Sequence, residues 1–335
     1  MPSDPANIER LRAAFDARLR AYLDERRTEL PEATDLLDEI ERMLAAGGKR
    51  LRPTFCYWGY VAAGGSPDER IVSAAAGLEL LHTFALVHDD VMDNAVERRG
   101  EPTVHAKRGP NVAILVGDMA LVLADDALMG SGFDEKDLLR SFEVYSRMRR
   151  RVIAGQYLDL EAPHSRIDEA IARRIAVLKS GSYSIEQPLL MGACLAGASE
   201  DFLRELSAFG RPLGEAFQLR DDLLGTFGQP SLTGKSIDSD IREGKRHVLY
   251  TKALDALEGE DRDFFVARWG GGSLSDDEVD RLRSLLEISG ARTGTEELVE
   301  GLRAQARSAL ENAALDEGAR AALADLADLA TKRSA

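Results

Sequence analysis

Apolar residues recur at intervals of three and four along almost the whole of this 335-residue chain, and that spacing limits the folds it can adopt. In the first 30 residues they share one face of an amphipathic helix whose outer face is strongly charged. These apolar positions are Ile8, Leu11, Phe15, Leu19 and Tyr22. Runs of alternating β-branched residues between turn signals are nearly absent, so the spacing predicts an all-α fold.

Short segments rich in Gly, Pro, Ser and Asp separate the periodic stretches and predict the turns between helices. All-helical enzymes of this length often fold around a single core, so we predict one domain over residues 1–335. It begins with the amphipathic helix at 1–30 and ends with packing helices at 258–335, where no cluster of reactive side chains occurs. The predicted helices are 7–29, 34–46, 53–63, 68–92, 110–130, 135–158, 167–196, 199–227, 245–257, 275–288, 292–313 and 316–332.

The charge balance restricts the partners that the chain can bind. Lys and Arg number 43 and Asp and Glu 58, and the net charge of −15 argues against nucleic acid or an anionic membrane as partner. The charged amino terminus lacks the apolar segment of a secretory signal, and aspartates interrupt the most apolar tract, residues 112–128, which argues against a membrane span. Cys56 and Cys194 have no metal or redox spacing, so we expect a reduced, cytoplasmic protein.

The sequence HDDVMD, residues 88–93, places three aspartates at the end of an apolar helical run. Asp89 and Asp93 share one face of a helix, while Asp90 is turned roughly 100° away. Like charges at this spacing destabilise a helix by a few tenths of a kcal/mol, so we expect a cation between them. Mg²⁺ takes one or two protein carboxylates and completes its coordination with water and substrate phosphate. A solvated acidic helix end is the alternative.

A second acidic pair makes metal binding the better interpretation. Asp221 and Asp222 lie near the end of another apolar helical run, in the sequence RDDLLG. Two helices that each carry such a pair can hold a cluster of Mg²⁺ ions, which would neutralise a polyphosphate ligand.

The sequence GGKRLRP, residues 47–53, combines a Gly-Gly turn with several cations. Lys49 and Arg52 could reach one phosphate group together, the arginine with a planar fork and the lysine as a point charge. This segment therefore predicts an anion site.

Basic residues also follow both acidic motifs, which in a chain of this net charge favours anions bridged by metal. Arg98 and Arg99 follow the first motif, although each alone could instead pair with a nearby Asp or Glu, such as Glu97 or Glu101. The lysines after the second motif are Lys235 and Lys245.

Taken together, these motifs resemble those of the trans-isoprenyl diphosphate synthases of the polyprenyl synthetase family. They occur in the family's order between about residues 45 and 250, a combination far more specific than any single motif. The matching segments are GGKRLRP (47–53), ELLHTFALVHDDVMDNAVERRGEPTVH (79–105), GD (117–118), GQYLDL (155–160), LKSGS (178–182), FQLRDDLLGTFG (217–228) and GKSIDSDIREGKRHVL (234–249).

The resemblance implies the isoprenoid synthase fold, an all-α helical bundle around a central cavity, in an enzyme that is usually a homodimer. It also implies Mg²⁺-dependent head-to-tail condensation of isopentenyl diphosphate with a C5, C10 or C15 allylic diphosphate. The allylic substrate ionises because metal and cationic side chains stabilise the departing diphosphate. Such chemistry needs no Ser–His or Cys–His nucleophile, and none is evident.

By the same resemblance, three Mg²⁺ ions would be bound, two by Asp89 and Asp93 and one by Asp221. Asp90 and Asp222 would support these ligands indirectly.

The remaining motif residues correspond to substrate-binding positions. Those for isopentenyl diphosphate are Lys49, Arg52, His82 and Arg99, and those for the allylic diphosphate are Arg98, Lys179, Lys235 and Lys245. Ser180 stands where many members have threonine and keeps the hydroxyl, and Gln218 corresponds to the position near the developing carbocation. His88 has no derived role and is interpreted as a helix-packing or hydrogen-bonded histidine.

The second acidic motif departs from the family pattern at its fifth position. Most members have a third aspartate there, whereas this chain has Gly225. We expect weaker, water-mediated support for the metal rather than inactivity, since the first aspartate is the direct ligand.

The product length is predicted from the residues before the first acidic motif. Phe84 and Ala85 precede Asp89 by five and four residues, about 7.5 and 6 Å of helix rise, and would form the floor for the substrate tail. A single aromatic residue there resembles the archaeal-type geranylgeranyl diphosphate synthases, which make a C20 product. Farnesyl diphosphate (C15) or a longer product is the alternative.

Two further functions are less favoured. A class I terpene cyclase would not need the second anion site formed by Lys49, Arg52, His82 and Arg99. A regulatory subunit of a heteromeric prenyltransferase is encouraged only by Gly225, and the complete first acidic motif argues against it.

Overall fold

The computed structural model describes residues 5–228, 238–271 and 273–331, so the predicted phosphate ligand Lys235 lies outside the described part of the chain. The all-α prediction is confirmed, since two-residue strands are the only β-structure among the described residues. The helices are α1 (Pro5–Glu29), α2 (Thr34–Ala45), α3 (Leu51–Ala62), α4 (Glu69–Met92), α5 (Val104–Arg108), α6 (Pro110–Met129), α7 (Glu135–Glu161), α8 (Glu169–Ala176), α9 (Gln187–Leu195), α10 (Glu200–Phe227), α11 (Ser239–Glu243), α12 (Val248–Ala256), α13 (Gly259–Arg268), α14 (Asp276–Ile288), α15 (Ala291–Asn312) and α16 (Glu317–Thr331).

The chain divides into two compact units. Unit 1 comprises Met1–Ser146, Gln187–Ser207 and Ala313–Leu326, and unit 2 comprises Arg147–Glu186, Ala208–Asn312 and Ala327–Ala335. The single-domain organisation stays a prediction.

In unit 1, α4 is the helix that carries the first acidic motif. Its start is capped by Asp68, whose carboxylate accepts hydrogen bonds from the Arg70 and Ile71 backbone N–H groups. The helix is long and apolar enough to cross a bilayer, but 61% of its most apolar window is buried inside the protein. Its apolarity is thus that of a core helix, and α4 packs extensively against α6.

Close approach between α3 and α9, also in unit 1, depends on glycine. A Cβ on Gly192 would overlap the backbone carbonyl of Cys56, and one on Gly59 would overlap that of Leu189. The two backbones are therefore nearer than side chains at these positions would permit.

The strands β1 (Glu97–Arg98) and β2 (Glu101–Pro102) form an antiparallel hairpin after α4. The two connecting residues, Arg99 and Gly100, have φ angles of 56° and 79°. Positive φ at both central residues is what a type I′ hairpin turn requires. This hairpin was not predicted from the sequence, and its turn sets the backbone conformation at Arg99.

In unit 2, α8 continues directly into a π-helical segment, Val177–Glu186, which the sequence did not predict either. A Cβ on Gly181 would overlap the Gly214 backbone of α10, and one on Gly155 of α7 would overlap the Lys179 backbone. The backbone of the π-helical segment thus packs directly against the backbones of α7 and α10.

The core of unit 2 includes the predicted carboxyl-terminal helices. Buried apolar side chains from several helices meet there, and α13, which was also not predicted, contributes Phe265. Other members of this core are Leu219, Leu223, Ile241, Tyr250, Leu282, Leu286 and Val299.

Candidate active site

The first acidic motif lies at the carboxyl end of α4, in unit 1. Asp93 is the C-cap residue, and its backbone N–H donates to the Asp89 carbonyl at 2.8 Å. Asp90 is 1% exposed, and Arg98 binds it through Nε at 2.7 Å and Nη2 at 2.6 Å from Oδ1. Arg98 Nη2 also lies 3.4 Å from Asp89 Oδ2. A buried carboxylate is thus neutralised by a guanidinium group held in the hairpin.

Arg98 thus pairs with a nearby acid, which the sequence analysis gave as the alternative to phosphate binding. The acids it contacts are those of the motif itself, Asp90 and Asp89. Burial alone would lower the pKa of Arg98, but the hydrogen bond and charge of Asp90 outweigh it and raise that pKa.

His82, on α4, lies among arginines. Burial and the positive charges of four nearby arginines hold the pKa of His82 well below its usual range, so the imidazole is neutral at physiological pH. The four are Arg52, Arg99, Arg98 and Arg50, in order of decreasing effect. The predicted anion-binding residues of unit 1 are therefore close enough to influence one another electrostatically.

Arg99 shows that this cluster is strongly cationic. Burial, followed by the charge of Arg98, lowers the pKa of Arg99 below that of an ordinary arginine. Its Nη1 donates a hydrogen bond to the Gly47 carbonyl. An anion bound here would relieve the repulsion between the guanidinium groups.

Arg50, which the sequence analysis did not single out, has a structural role. It forms ion pairs of 2.8 Å with Asp16 and with Glu79, and it donates to the Leu44 carbonyl at 2.7 Å. Its φ of 50° places it at the N-cap of α3 in the left-handed region. Of the three cations in GGKRLRP, Arg50 is thus anchored in the protein, while Lys49 and Arg52 are half-buried.

His88 packs against α6, as the sequence interpretation proposed. Its Nε2 lies 3.1 Å from the Ile114 carbonyl and 3.7 Å from Asp118 Oδ1. A Cβ on Gly117 would overlap the imidazole ring, which explains why the GD motif begins with glycine. The ring of Phe84, the predicted chain-length residue, meets His88 edge-on at 4.9 Å, and Ala85 is half-buried next to it in sequence.

The second acidic motif lies on α10 in unit 2. Asp222 is 8% exposed and accepts a 2.8 Å hydrogen bond from Gln218 Nε2. Burial, the charge of Asp240 and, to a lesser extent, that of Asp221 raise the pKa of Asp222 well above its usual range, against the opposing hydrogen bond from Gln218. Sequence reasoning missed Asp240; its only signal was an acid five residues before Lys245.

Lys245 lies in the segment after α11. Its Nζ is 2.7 Å from Glu243 and 3.7 Å from Asp240. Trp269 supports this segment, since its Nε1 donates to the Lys245 carbonyl at 3.1 Å. The region after residue 258 therefore does more than pack, because it holds a predicted substrate-binding lysine in place.

The π-helical segment carries Lys179 and Ser180. Lys179 Nζ forms a 2.6 Å ion pair with Asp159, which belongs to the GQYLDL motif on α7. Two motifs that resemble those of the family are thus joined by one contact. Ser180 is half-buried beside Lys179.

The donor set fits Mg²⁺ better than a metal that is enclosed by protein ligands. Across the described ranges, no group of three or more His, Cys, Asp or Glu side chains is arranged to hold a metal ion. Mg²⁺ needs only one or two carboxylates, with water and phosphate oxygens completing the octahedron. Burial, followed by the charge of Asp240, raises the pKa of Asp222, and a divalent cation would offset the repulsion between these carboxylates.

Comparisons with known proteins agree with these motifs. A family model described as polyprenyl synthetase matches residues 34–286. A geranylgeranyl diphosphate synthase of Sulfolobus acidocaldarius is 38% identical over 255 residues, which cover 73% of this chain and 74% of that protein. A (2E,6E)-farnesyl diphosphate synthase of Mycobacterium tuberculosis is 36% identical over 249 residues, which cover 73% and 68%.

A solved structure extends the likeness to the whole described fold. It is the geranylgeranyl pyrophosphate synthase of Corynebacterium glutamicum, complexed with isoprenyl diphosphate and magnesium. It superposes with a TM-score of 0.92 at 33% identity, covering 98% of this chain and 99% of that one. The predicted isoprenoid synthase fold is thereby confirmed.

Proposed function

This chain belongs to the polyprenyl synthetase family of trans-prenyltransferases, and we propose that it condenses isopentenyl diphosphate with allylic diphosphates to give geranylgeranyl diphosphate. The observation that carries this proposal is the cationic cluster around His82, in the same unit as the first acidic motif. A condensation between two diphosphates needs an anion site besides the one that metal provides. A terpene cyclase, with one diphosphate, does not.

In unit 1, Lys49, Arg52, His82 and Arg99 bind isopentenyl diphosphate. The arginines contribute charge and bidentate hydrogen bonds to phosphate oxygens. His82, neutral because of its surroundings, contributes a hydrogen bond without further positive charge.

In unit 2, Lys179 and Lys245 bind the allylic diphosphate, with Ser180 next to Lys179. Both lysines are already held by carboxylates, Asp159 and Glu243, which fix their positions before substrate arrives. Lys235 is assigned to the same group by its motif alone.

Metal binding is proposed at three positions, as the resemblance implies. Asp89 and Asp93 hold two Mg²⁺ ions, and Asp221 holds a third. Members of this family are generally Mg²⁺-dependent, and when bound the ions supply positive charge to the departing diphosphate. Asp90 supports the first motif through Arg98, which contacts both Asp89 and Asp90. Arg98 therefore stabilises the motif, in addition to its predicted contact with the allylic diphosphate.

The side chains of the chain then have defined tasks in the reaction. The lysines stabilise the negative charge that develops as the allylic C–O bond breaks. Gln218 donates its Nε2 to Asp222, which leaves its electron-rich amide oxygen to stabilise the carbocation. The double bond of isopentenyl diphosphate captures that cation, and a proton leaves to the released diphosphate. Holding both substrates in register is the main contribution of the protein.

The C20 product is proposed from Phe84. Its ring rests against His88, which α6 holds in turn, so the floor it would provide is rigid. Relatives that make C20 and C15 products have similar identity to this chain, and farnesyl diphosphate therefore remains the alternative.

One incubation tests the function and the product together. Purified protein is mixed with Mg²⁺, labelled isopentenyl diphosphate and a C5, C10 or C15 primer, and the dephosphorylated products are sized. We expect a C20 product from all three primers, and from Phe84→Ala a longer one. A C15 end point would favour the alternative, and no condensation with any primer would favour a cyclase or a regulatory subunit.

We further propose a cytoplasmic homodimer. Leu115, Val122 and Met129 are 55%, 55% and 44% exposed and recur every seven residues on α6, which forms an apolar stripe suited to a second copy. Both cysteines are buried thiols, as in a reducing compartment. Val122→Glu should convert the dimer to a monomer in analytical ultracentrifugation.

A further inference from the structure

The amino-terminal helix α1 contacts the loop that carries two of the proposed isopentenyl diphosphate ligands. Arg12 Nη2 donates to the Gly48 carbonyl at 2.9 Å. The Asp16 carboxylate accepts from Arg50 Nε at 2.8 Å. Because these two α1 residues are four positions apart, they share one face of the helix. That face therefore binds the residue on each side of Lys49.

Arg50 couples α1 to the loop because its side chain is buried and its backbone is constrained. It is 7% exposed, and its φ of 50° is unfavourable for a residue other than glycine. Its guanidinium group also donates to Glu79 at 2.8 Å and to the Leu44 carbonyl at 2.7 Å. Arg50 is the N-cap residue of α3, and Arg52 lies in the first turn of that helix. A displacement of Arg50 would therefore move both Lys49 and Arg52.

The charges around Arg50 agree with a role in holding the loop. Burial alone would lower the pKa of Arg50, but the charges of Glu79 and Asp16 outweigh it and raise that pKa. The positive charge of Arg50 is thus satisfied within the protein. Its guanidinium group holds the loop, while Lys49 and Arg52 are left to bind the diphosphate.

We propose that α1 positions the isopentenyl diphosphate site through Asp16 and Arg12. Both are positioning residues, because they act by holding the backbone on either side of Lys49. A loop that is fixed before the substrate arrives loses less conformational entropy on binding, so the affinity for the diphosphate is higher. The inference rests on the proposed function, since it requires that the cationic cluster of unit 1 binds isopentenyl diphosphate.

The first test measures binding without turnover. Isopentenyl diphosphate is titrated by calorimetry into the full chain with EDTA and without an allylic primer, so that sites that depend on metal are not filled. Asp16→Asn removes the charge, and the Kd should rise about tenfold, the lower end of what a hydrogen bond between charged groups contributes. Arg12→Gln, which loses a bond to a neutral carbonyl, should raise the Kd about threefold. The matched control is Asp24→Asn, which breaks a pair with Arg27 within α1 and should change the Kd less than about twofold.

Steady-state kinetics separate positioning from a general loss of structure. In Asp16→Asn the KM for isopentenyl diphosphate should rise about tenfold, whereas kcat and the KM for the allylic primer should change less than about twofold. Asp16→Glu keeps the charge and should bind isopentenyl diphosphate within about threefold of wild type. Arg50 retains Glu79 as a partner in both variants, so the fold should be kept, and melting temperatures check this.

The outcomes distinguish the role of α1 from the proposed function. A wild-type Kd in Asp16→Asn, or equal rises in the KM values of both substrates, overturns the role of α1. Wild-type protein that does not bind isopentenyl diphosphate overturns the anion site and this inference together. If binding depends on Asp16 but the protein condenses isopentenyl diphosphate with no primer, the role of α1 is supported and the proposed function is overturned.

Discussion

Each of the two acidic motifs contains a buried aspartate, but the groups around that aspartate differ between them. In unit 1 the buried aspartate, Asp90, is neutralised by the guanidinium group of Arg98. In unit 2 the buried aspartate, Asp222, accepts a hydrogen bond from the neutral amide of Gln218 and has further carboxylates nearby. The buried aspartate of the first motif is therefore neutralised within the protein, whereas that of the second has more carboxylates than cations around it, an imbalance that a bound cation would offset.

Similar sequence motifs can thus have different electrostatic surroundings in the folded protein. Both motifs begin with Asp-Asp near the end of an apolar helix, and spacing alone predicts the same behaviour for both. The residues that differ, Arg98 and Asp240, lie outside the helices that carry the motifs. Four measurements test whether the two motifs differ in this way.

The largest effect is expected from Asp89→Ala. It removes a proposed metal ligand but relieves repulsion within α4, so turnover should fall by at least about 10³-fold, or about 4 kcal/mol, while the fold is kept. Steady-state kinetics and circular dichroism measure the two effects. Unchanged turnover would contradict the assignment of metal to the first motif.

Arg98→Met tests the internal balance of unit 1. It leaves Asp90 buried without its cation, and loss of one partner from a buried pair costs about 3–5 kcal/mol of unfolding free energy. Urea denaturation should show this loss. The control is Arg108→Met, which breaks an exposed pair with Asp35 and should lose far less stability, because solvent screens such pairs. Equal, small losses in both variants would mean that Arg98 does not stabilise the motif.

Asp222→Asn tests the charge excess of unit 2. Because the pKa of Asp222 is raised in the folded protein, the folded state binds more protons than the unfolded state, and stability falls as pH rises above about 4. The variant, which has no charge, should therefore be more stable than wild type without Mg²⁺ at pH 7, by at least about 1.4 kcal/mol for each pKa unit removed.

Denaturation at two pH values measures this effect. The difference between Asp222→Asn and wild type should be lost below about pH 3, where the wild-type carboxyl is protonated in both the folded and the unfolded state. A variant that is less stable at pH 7 would show that the ionised carboxylate stabilises the fold, and the contrast between the motifs would be lost.

Several parts of this picture were predictable from sequence because they depend on local spacing. The helix that carries Asp89 follows from a 3.6-residue apolar period. His88 was interpreted only as a helix-packing or hydrogen-bonded histidine, and its contact with α6 came from the structure. The hairpin was missed since two-residue strands carry no alternating pattern. The π segment was missed because its residues have the same apolar character as an α-helix.

The missed site residues share a physical cause. Asp240 and Trp269 follow the second motif by 15 or more residues, and they reach it or its neighbouring lysine only through tertiary packing. The sequence also did not show which acid pairs with Arg98: the structure places its guanidinium group on Asp90, eight residues earlier in the chain. Spacing rules for helices do not apply across such a turn.

The smallest effect is expected at His82, which tests whether unit 1 is insensitive to pH. Burial and the surrounding arginines lower its pKa, so the folded protein binds fewer protons there than the unfolded chain, and stability falls as pH drops through about 6.5. Between pH 7 and 8 the ring is neutral, and His82→Gln, which keeps a neutral hydrogen-bonding side chain, should change the KM for isopentenyl diphosphate less than about threefold.

At pH 5.5 the same variant should be more resistant to urea than wild type, because glutamine has no proton to gain on unfolding. A KM for wild type that falls on acidification, with no such response in His82→Gln, would mean that a charged imidazole binds the diphosphate. The affinity of the cationic cluster for diphosphate would then depend on pH. Unit 1 as well as unit 2 would respond to the charge of its ligand, and the two units would differ less than their acidic motifs indicate.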